Sequence, residues 1–157
     1  MDRRSFIKLS SLAGASVAVS TGLAGCTVNS SANNQPQTNA TFTHGVASGD
    51  PLKDAVIIWT RAVPTTDSGS DLAKADILWE MASDADFTDI VSSGIVEAKA
   101  IHDFTVKVDV AGLSPARRYF YRFKSANNTS PVGETRTLPE VDVSNVTFGI
   151  FSCSNYP

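Results

Sequence analysis

The chain has 157 residues, of which 42% are hydrophobic and 18% charged, and its formal net charge is −3. This composition is typical of one ordinary folded domain, long enough to bury a core without disulfide bonds. The acidic balance argues against nucleic acid as a partner, so we expect no nucleic-acid recognition domain.

Residues 1–26 resemble a bacterial twin-arginine export signal that ends in a lipoprotein cleavage box. Arg3 and Arg4 precede an uncharged, moderately apolar run, and two small residues precede Cys26, whose thiol would carry the lipid. The pattern predicts a protein exported by the twin-arginine machinery, periplasmic or at the cell surface, and anchored to the membrane by lipid. An uncleaved amphipathic anchor is the alternative.

Cleavage before Cys26 would remove Asp2, Arg3, Arg4 and Lys8, which leaves 10 basic and 15 acidic residues and a net charge of −5. If Cys26 carries lipid, Cys153 has no cysteine partner in an oxidising compartment. A disulfide between the two cysteines is the alternative, and it requires that the cleavage box be false. Because the twin-arginine route resembles one that exports folded proteins with cofactors, a metal or redox site is favoured.

Residues 27–41 consist mainly of Asn, Ser, Gln, Thr and Ala and carry no charge. Such a composition cannot bury a core. We therefore expect a flexible tether that lifts the folded part off the bilayer.

Short strand patterns alternate with turn signals between residues 42 and 140. The predicted strands cover residues 54–60, 75–81, 95–98, 104–110 and 119–123, with 95–98 the weakest and a possible helical turn at 84–91. Strands about every ten residues without intervening helices predict an all-β, immunoglobulin/fibronectin type III-like sandwich over residues 42–140. Trp59 and Trp79 lie inside strand patterns, so we expect both in the core.

Residues 113–119 resemble the turn before the sixth strand of fibronectin type III domains. In that arrangement, the tyrosine corner, Leu113 would plug the core and the Tyr119 hydroxyl would satisfy a backbone group of the turn. The expected role is structural.

Residues 146–151 form an almost uninterrupted apolar run, which is typical of a strand buried on both faces. We interpret residues 141–157 as the start of a truncated α/β domain, with this run as its first strand. Cys153 would then lie at the carboxyl end of that strand, where open α/β sheets bind ligands. A small buried core residue is the alternative for Cys153.

Together these motifs resemble the amino-terminal part of alkaline phosphatase D-type (PhoD-like) enzymes. Apart from the leader, the resemblance is carried by Phe-Thr-His-Gly-Val-Ala-Ser-Gly-Asp-Pro (42–51), Val-Ile-Ile-Trp-Thr-Arg (56–61), the corner (113–121), Gly-Glu-Thr-Arg-Thr-Leu-Pro (133–139) and Phe-Ser-Cys (151–153). It covers nearly everything after the tether.

The resemblance implies a sandwich that precedes a calcineurin-like metallophosphatase domain, in a secreted phosphodiesterase or phosphomonoesterase that hydrolyses extracellular phosphate esters. It also implies Fe³⁺ and Ca²⁺ as cofactors of the complete enzyme. Only Cys153 matches a metal-ligand position, as a thiolate suited to iron. His44 and His102 lie outside any ligand motif, and we expect Thr43 and Asp50 to serve in turns.

We therefore expect no catalytic residue in these 157 residues, no stable metal binding and no activity of the fragment alone. A lipid-anchored sandwich that acts as a binding or adhesion module is the alternative function.

Overall fold

The computed structural model describes residues 35–36, 38–65, 73–147 and 149–150. Within them the secondary structure is almost entirely strand, with one short 3-10 turn at Ala100–His102. The strands are β1 (Ala40–Thr41), β2 (Val46–Gly49), β3 (Ala55–Arg61), β4 (Val63–Pro64), β5 (Lys74–Ala82), β6 (Ile90–Lys99), β7 (Thr105–Ala111), β8 (Arg118–Lys124) and β9 (Gly133–Arg136). No helix in this part of the chain is long and apolar enough to cross a membrane.

Seven of these strands form two antiparallel sheets. One sheet has three strands in the order β2-β3-β7, and the other has four in the order β6-β5-β8-β9. The short strands β1 and β4 pair with each other as a separate ribbon. The arrangement confirms the predicted all-β sandwich, in which two amphipathic sheets bury one face each against the other.

The core lies between the two sheets. From the three-stranded sheet, Val56 and Ile58 are fully buried, and they are paired with Val110 and Val108 of the neighbouring strand. From the four-stranded sheet, β8 contributes Tyr119, Tyr121 and Phe123, which are 5%, 2% and 0% exposed. The alternating burial along β8 places these three side chains on one face of the strand predicted at residues 119–123.

The segment between β5 and β6 is a turn built on one carboxylate, and it is not the helical turn that was considered for residues 84–91. Asp84 accepts hydrogen bonds from the backbone amides of Asp86, Thr88 and Asp89, at 2.9, 3.1 and 2.7 Å. These bonds hold the pKa of Asp84 below its ordinary value, and the bond from Thr88 contributes most. Together with one backbone bond from the Phe87 amide to the Asp84 carbonyl at 3.3 Å, this side chain closes the turn locally, and β6 begins at Ile90.

The two tryptophans differ in position. Trp79 packs against the core as predicted, with its indole close to Gly94 of the neighbouring strand. The prediction for Trp59 is wrong, because alternation along β3 turns Ile58 and Thr60 inward and leaves Trp59 half-buried on the outer face. There it is paired with Ala47 on one side and Lys107 on the other.

The apolar run near the end of the chain does not form a strand at its described residues, 146, 147, 149 and 150. Val146 is 64% exposed and Ile150 is 93% exposed. A strand buried on both faces needs neighbours at its edges and layers above and below it. Among the described residues, no strand of the sandwich pairs with this run.

At the other end, the folded part begins before residue 42, within the segment predicted to be tether. The carbonyl of Thr38 accepts a hydrogen bond from the Ala126 amide at 3.0 Å. Ala40 is fully buried, and its carbonyl accepts a hydrogen bond from the Asn128 side chain at 3.0 Å. Residues 27–34 of the predicted tether lie outside the described residues, and their role stays a prediction.

A close approach between β8 and β9 generates a testable prediction about Gly133. A Cβ atom at this position would lie 2.3 Å from Cζ of Tyr121, whose ring is buried. We expect Gly133→Ala to lower the free energy of unfolding by about 1–3 kcal/mol, because the ring must move within a packed core. Thermal and denaturant unfolding of the purified chain would measure it.

Gly49→Ala is the matched control, since a Cβ at Gly49 meets nothing within 4 Å. It should change stability by less than about 0.5 kcal/mol. Equal stability of the two variants would contradict the packing of Tyr121 on Gly133.

Candidate functional site

The residues predicted to carry function, Arg3, Arg4, Cys26 and Cys153, all lie outside the described part of the chain. The export signal, the lipid site and the metal-ligand role therefore remain predictions. Among the described residues, no group of three or more His, Cys, Asp or Glu side chains is placed to hold a metal ion. The structure does show which of the sequence motifs lie close together in space.

The strands run so that the chain enters the sandwich at one end and leaves it at the other. The entry end comprises residues 38–45, 61–65, 99–105 and 124–129, and the exit end comprises residues 50–54, 83–89, 112–117 and 137–140. Three of the motifs, around Asp50, Tyr119 and Thr137, meet at the exit end.

The tyrosine corner forms the centre of the exit end, as predicted. The phenolic oxygen of Tyr119 accepts a hydrogen bond from the Ser114 amide at 2.8 Å. Leu113 is buried, and its amide donates to the carbonyl of Asp54 at 2.9 Å. The corner thereby ties the turn before β8 to the start of β3.

Thr137 extends the corner to the outgoing chain, a role that sequence reasoning missed. Its hydroxyl donates to the Ser114 carbonyl at 2.7 Å and accepts from the Arg117 amide at 3.1 Å. Thr137 is 2% exposed. Its position in the 133–139 motif could have marked Thr137 as important, but nothing in the sequence shows which turn its hydroxyl contacts.

A second set of contacts, here called the exit clamp, holds residues 138–140 against the β2–β3 turn. The amide of Leu138 donates to the carbonyl of Leu52 at 2.9 Å, and the carbonyl of Leu138 accepts from the Ala116 amide at 3.0 Å. The Lys53 ammonium donates to Glu140 at 2.7 Å, and this bond holds the pKa of the Glu140 carboxyl below its usual value. The chain therefore leaves the sandwich in a fixed direction.

The opening motif, residues 42–51, serves the sandwich itself. Gly45 adopts a positive φ of 65°, and its carbonyl accepts a hydrogen bond from the buried Thr60 hydroxyl at 2.8 Å. Asp50 also has a positive φ, 50°, in the turn that leads to the exit end. Thr43 and His44 bond to each other at 2.8 Å on the surface.

At the entry end, Arg61 binds the turn between β6 and β7. Its guanidinium donates to both carboxylate oxygens of Asp103, at 3.0 and 2.7 Å, and to the Asp103 carbonyl at 3.1 Å. The bonds from Arg61 are the main cause that lowers the pKa of Asp103. They hold a turn in which Asp103 and Phe104 both have positive φ, at 52° and 54°. This pair accounts for the arginine of the Ile-Trp-Thr-Arg motif.

A shallow cavity of about 330 Å³ lies on the outer face of the four-stranded sheet. It is lined by Leu78, Glu80, Ile95 and their neighbours. Glu80 is nearly buried, but its carboxylate accepts from Arg122 at 2.6 Å and has Lys124 at 3.8 Å. Arg122 also stacks on the ring of Phe87 at 3.9 Å. The carboxylate is thus already paired, and the cavity has the character of a structural surface cluster.

Comparison with known proteins identifies the sandwich. A family profile described as PhoD-like phosphatase, N-terminal domain, matches residues 27–139. Alkaline phosphatase D of Bacillus subtilis (strain 168) is 44% identical over 119 residues, which cover 73% of this chain and 20% of that protein. A solved structure of PhoD matches with a TM-score of 0.58 and 44% identity, over 64% of this chain and 20% of that one.

The chain thus spans about one fifth of the length of the relative that it matches. The family profile covers well over half of the chain and includes the exit end up to Pro139. The motifs that carry the likeness are also those that build the corner and the entry and exit turns. The chain therefore belongs to the PhoD-like phosphatases and contains their N-terminal domain.

Proposed function

We propose that this chain is the amino-terminal part of a secreted, metal-dependent phosphodiesterase or phosphomonoesterase that hydrolyses extracellular phosphate esters. The observation that carries the proposal is the 44% identity to alkaline phosphatase D over 119 residues. The alternative, a self-contained binding or adhesion module, accounts for a sandwich but not for this likeness to one fifth of an enzyme.

In this proposal the sandwich is an accessory domain and the chemistry belongs to a domain that follows it. The described residues hold no metal-binding group of three or more side chains, so the sandwich does not fit Fe³⁺ or Ca²⁺ by itself. Cys153 is the candidate iron ligand from this chain, because a thiolate is a strong ligand for iron and stands where the family resemblance places one. The 157 residues alone would then be inactive, since one ligand cannot hold a catalytic metal.

The proposed route to the substrate is export. Arg3 and Arg4 would direct the folded protein to the twin-arginine machinery, and Cys26 would carry the lipid that anchors it to the membrane. The short segment between Cys26 and the start of the sandwich would set how far the enzyme stands from the bilayer.

The first test compares this chain with the gene product extended to the next in-frame stop codon. We expect the extended protein to contain iron and calcium and to hydrolyse a chromogenic phosphodiester, and the 157 residues to do neither. In the extended protein, Cys153→Ser should remove most of the iron and lower activity by at least about 100-fold, because ligand loss disrupts the metal site. Metal analysis and initial rates give both readouts.

Cys26→Ser is the matched control, since it changes the other cysteine and should leave iron and activity intact. Full activity of Cys153→Ser would rule out its role as a ligand. Absence of metal and activity from the extended wild-type protein would favour the binding module.

The export proposal has its own test in cells. Replacing both Arg3 and Arg4 by Lys should keep the protein in the cytoplasm, because the paired arginines are the expected address. Fractionation with an antibody to the sandwich would measure this, with Lys8→Arg as the charge-conserving control. Unchanged export of the paired variant would contradict a twin-arginine signal.

A further inference from the structure

We propose that the exit end of the sandwich is the surface on which the following α/β domain of the same polypeptide docks, with Leu52 and Leu138 as the central contacts. This inference rests on the proposed function, which supplies that domain. It adds that the two domains are held in a fixed orientation by this surface.

The candidate apolar patch comprises Leu52 and Leu138, which lie on hydrogen-bonded backbone segments of the exit end. Leu52 is 39% exposed and Leu138 is 47% exposed, and a backbone hydrogen bond of 2.9 Å joins them. The chain continues from Leu138 through Val141 and Val143, which are 75% and 51% exposed. Apolar residues gathered at one place on a surface mark a contact site more strongly than single ones do.

The way the chain leaves the sandwich favours a fixed neighbour. Linkers between independent domains usually make few contacts. Here the exit clamp fixes residues 138–140 through two backbone hydrogen bonds and the Lys53–Glu140 ion pair. The hydroxyl of Thr137 anchors the preceding residue to the corner. A chain held in this way delivers whatever follows it directly beside the two leucines.

Charge and chain length favour a later part of the same polypeptide as the domain that docks on the exit end. Lys53 and Glu140 beside the leucines form an ion pair, so these two charges are already matched when the surface is covered. The matched relative is about five times as long as the matched segment, so most of its residues lie outside the part aligned with this sandwich. A domain joined directly to Glu140 would meet the patch at a high effective concentration.

The test uses hydrogen exchange of backbone amides in residues 141–147, in this chain and in the extended gene product. We expect these amides to exchange at least about tenfold more slowly in the extended protein, because docking buries the segment. The double variant Leu52→Asp and Leu138→Asp should remove that protection and leave the exchange of the 157-residue chain unchanged. Ile101→Asp is the control, because Ile101 is 85% exposed at the entry end.

Equal exchange of residues 141–147 in the two wild-type proteins would overturn the docking proposal. So would a leucine variant that behaves like Ile101→Asp in the extended protein. If the aspartates prevent folding, seen as a lower thermal midpoint of the 157-residue chain, the alanine pair at the same positions replaces them. Phosphodiesterase activity is scored separately: an inactive extended protein with protected residues contradicts the proposed function alone, and an active one without protection contradicts the docking alone.

Discussion

The hydrogen bond from the Ser114 amide to the Tyr119 hydroxyl, 2.8 Å long, is the contact on which the exit end depends. Through it the turn before β8 is held over the core, and the Ser114 carbonyl is oriented to accept the Thr137 hydroxyl at 2.7 Å. Thr137 in turn places Leu138 beside Leu52. A backbone amide in a partly buried turn needs a partner, and here one phenol supplies it while its ring fills the core.

The motifs that carry the likeness to the family hold turns of the sandwich together within the described residues. Gly45 and Thr60 close the turn before β2, Arg61 holds the β6–β7 turn through Asp103, and Thr137 joins the corner to the outgoing chain. Sequence likeness in this part of the molecule therefore reflects the need to build a sandwich whose two ends have defined shapes. The chemistry that we propose for the complete enzyme depends on residues outside these contacts, and Cys153 is the iron ligand proposed from this chain.

The sequence predicted the sandwich because its strands alternate with a period of two and its corner has a local signature. Tyr119 and Leu113 were both assigned correctly, since the groups they contact lie within a few residues or in the core. Trp59 was misplaced because β3 is apolar on both faces, so periodicity could not tell its inner from its outer side. The run at residues 146–150 has the composition of a buried strand, yet a strand forms only where neighbouring strands and layers receive it.

Local sequence patterns could not predict the contacts between distant residues that hold the two ends of the sandwich. Arg61 and Asp103 are 42 residues apart, and Lys53 and Glu140 are 87 residues apart. Such pairs follow from the strand order, which composition and periodicity leave open. The sites predicted for export, lipid and metal, in contrast, were read from local motifs that lie outside the described residues.

The most direct test of this account is the stability of Tyr119→Phe, measured by chemical unfolding together with exchange of the Ser114 and Leu138 amides. The account predicts a free energy of unfolding lower by about 1 kcal/mol, the usual net value of one lost hydrogen bond, and faster exchange at both amides. Thr43→Ala, which removes an exposed hydroxyl at the entry end, should change neither. An unchanged stability with Ser114 and Leu138 still protected would contradict the claim that the corner holds the exit end together.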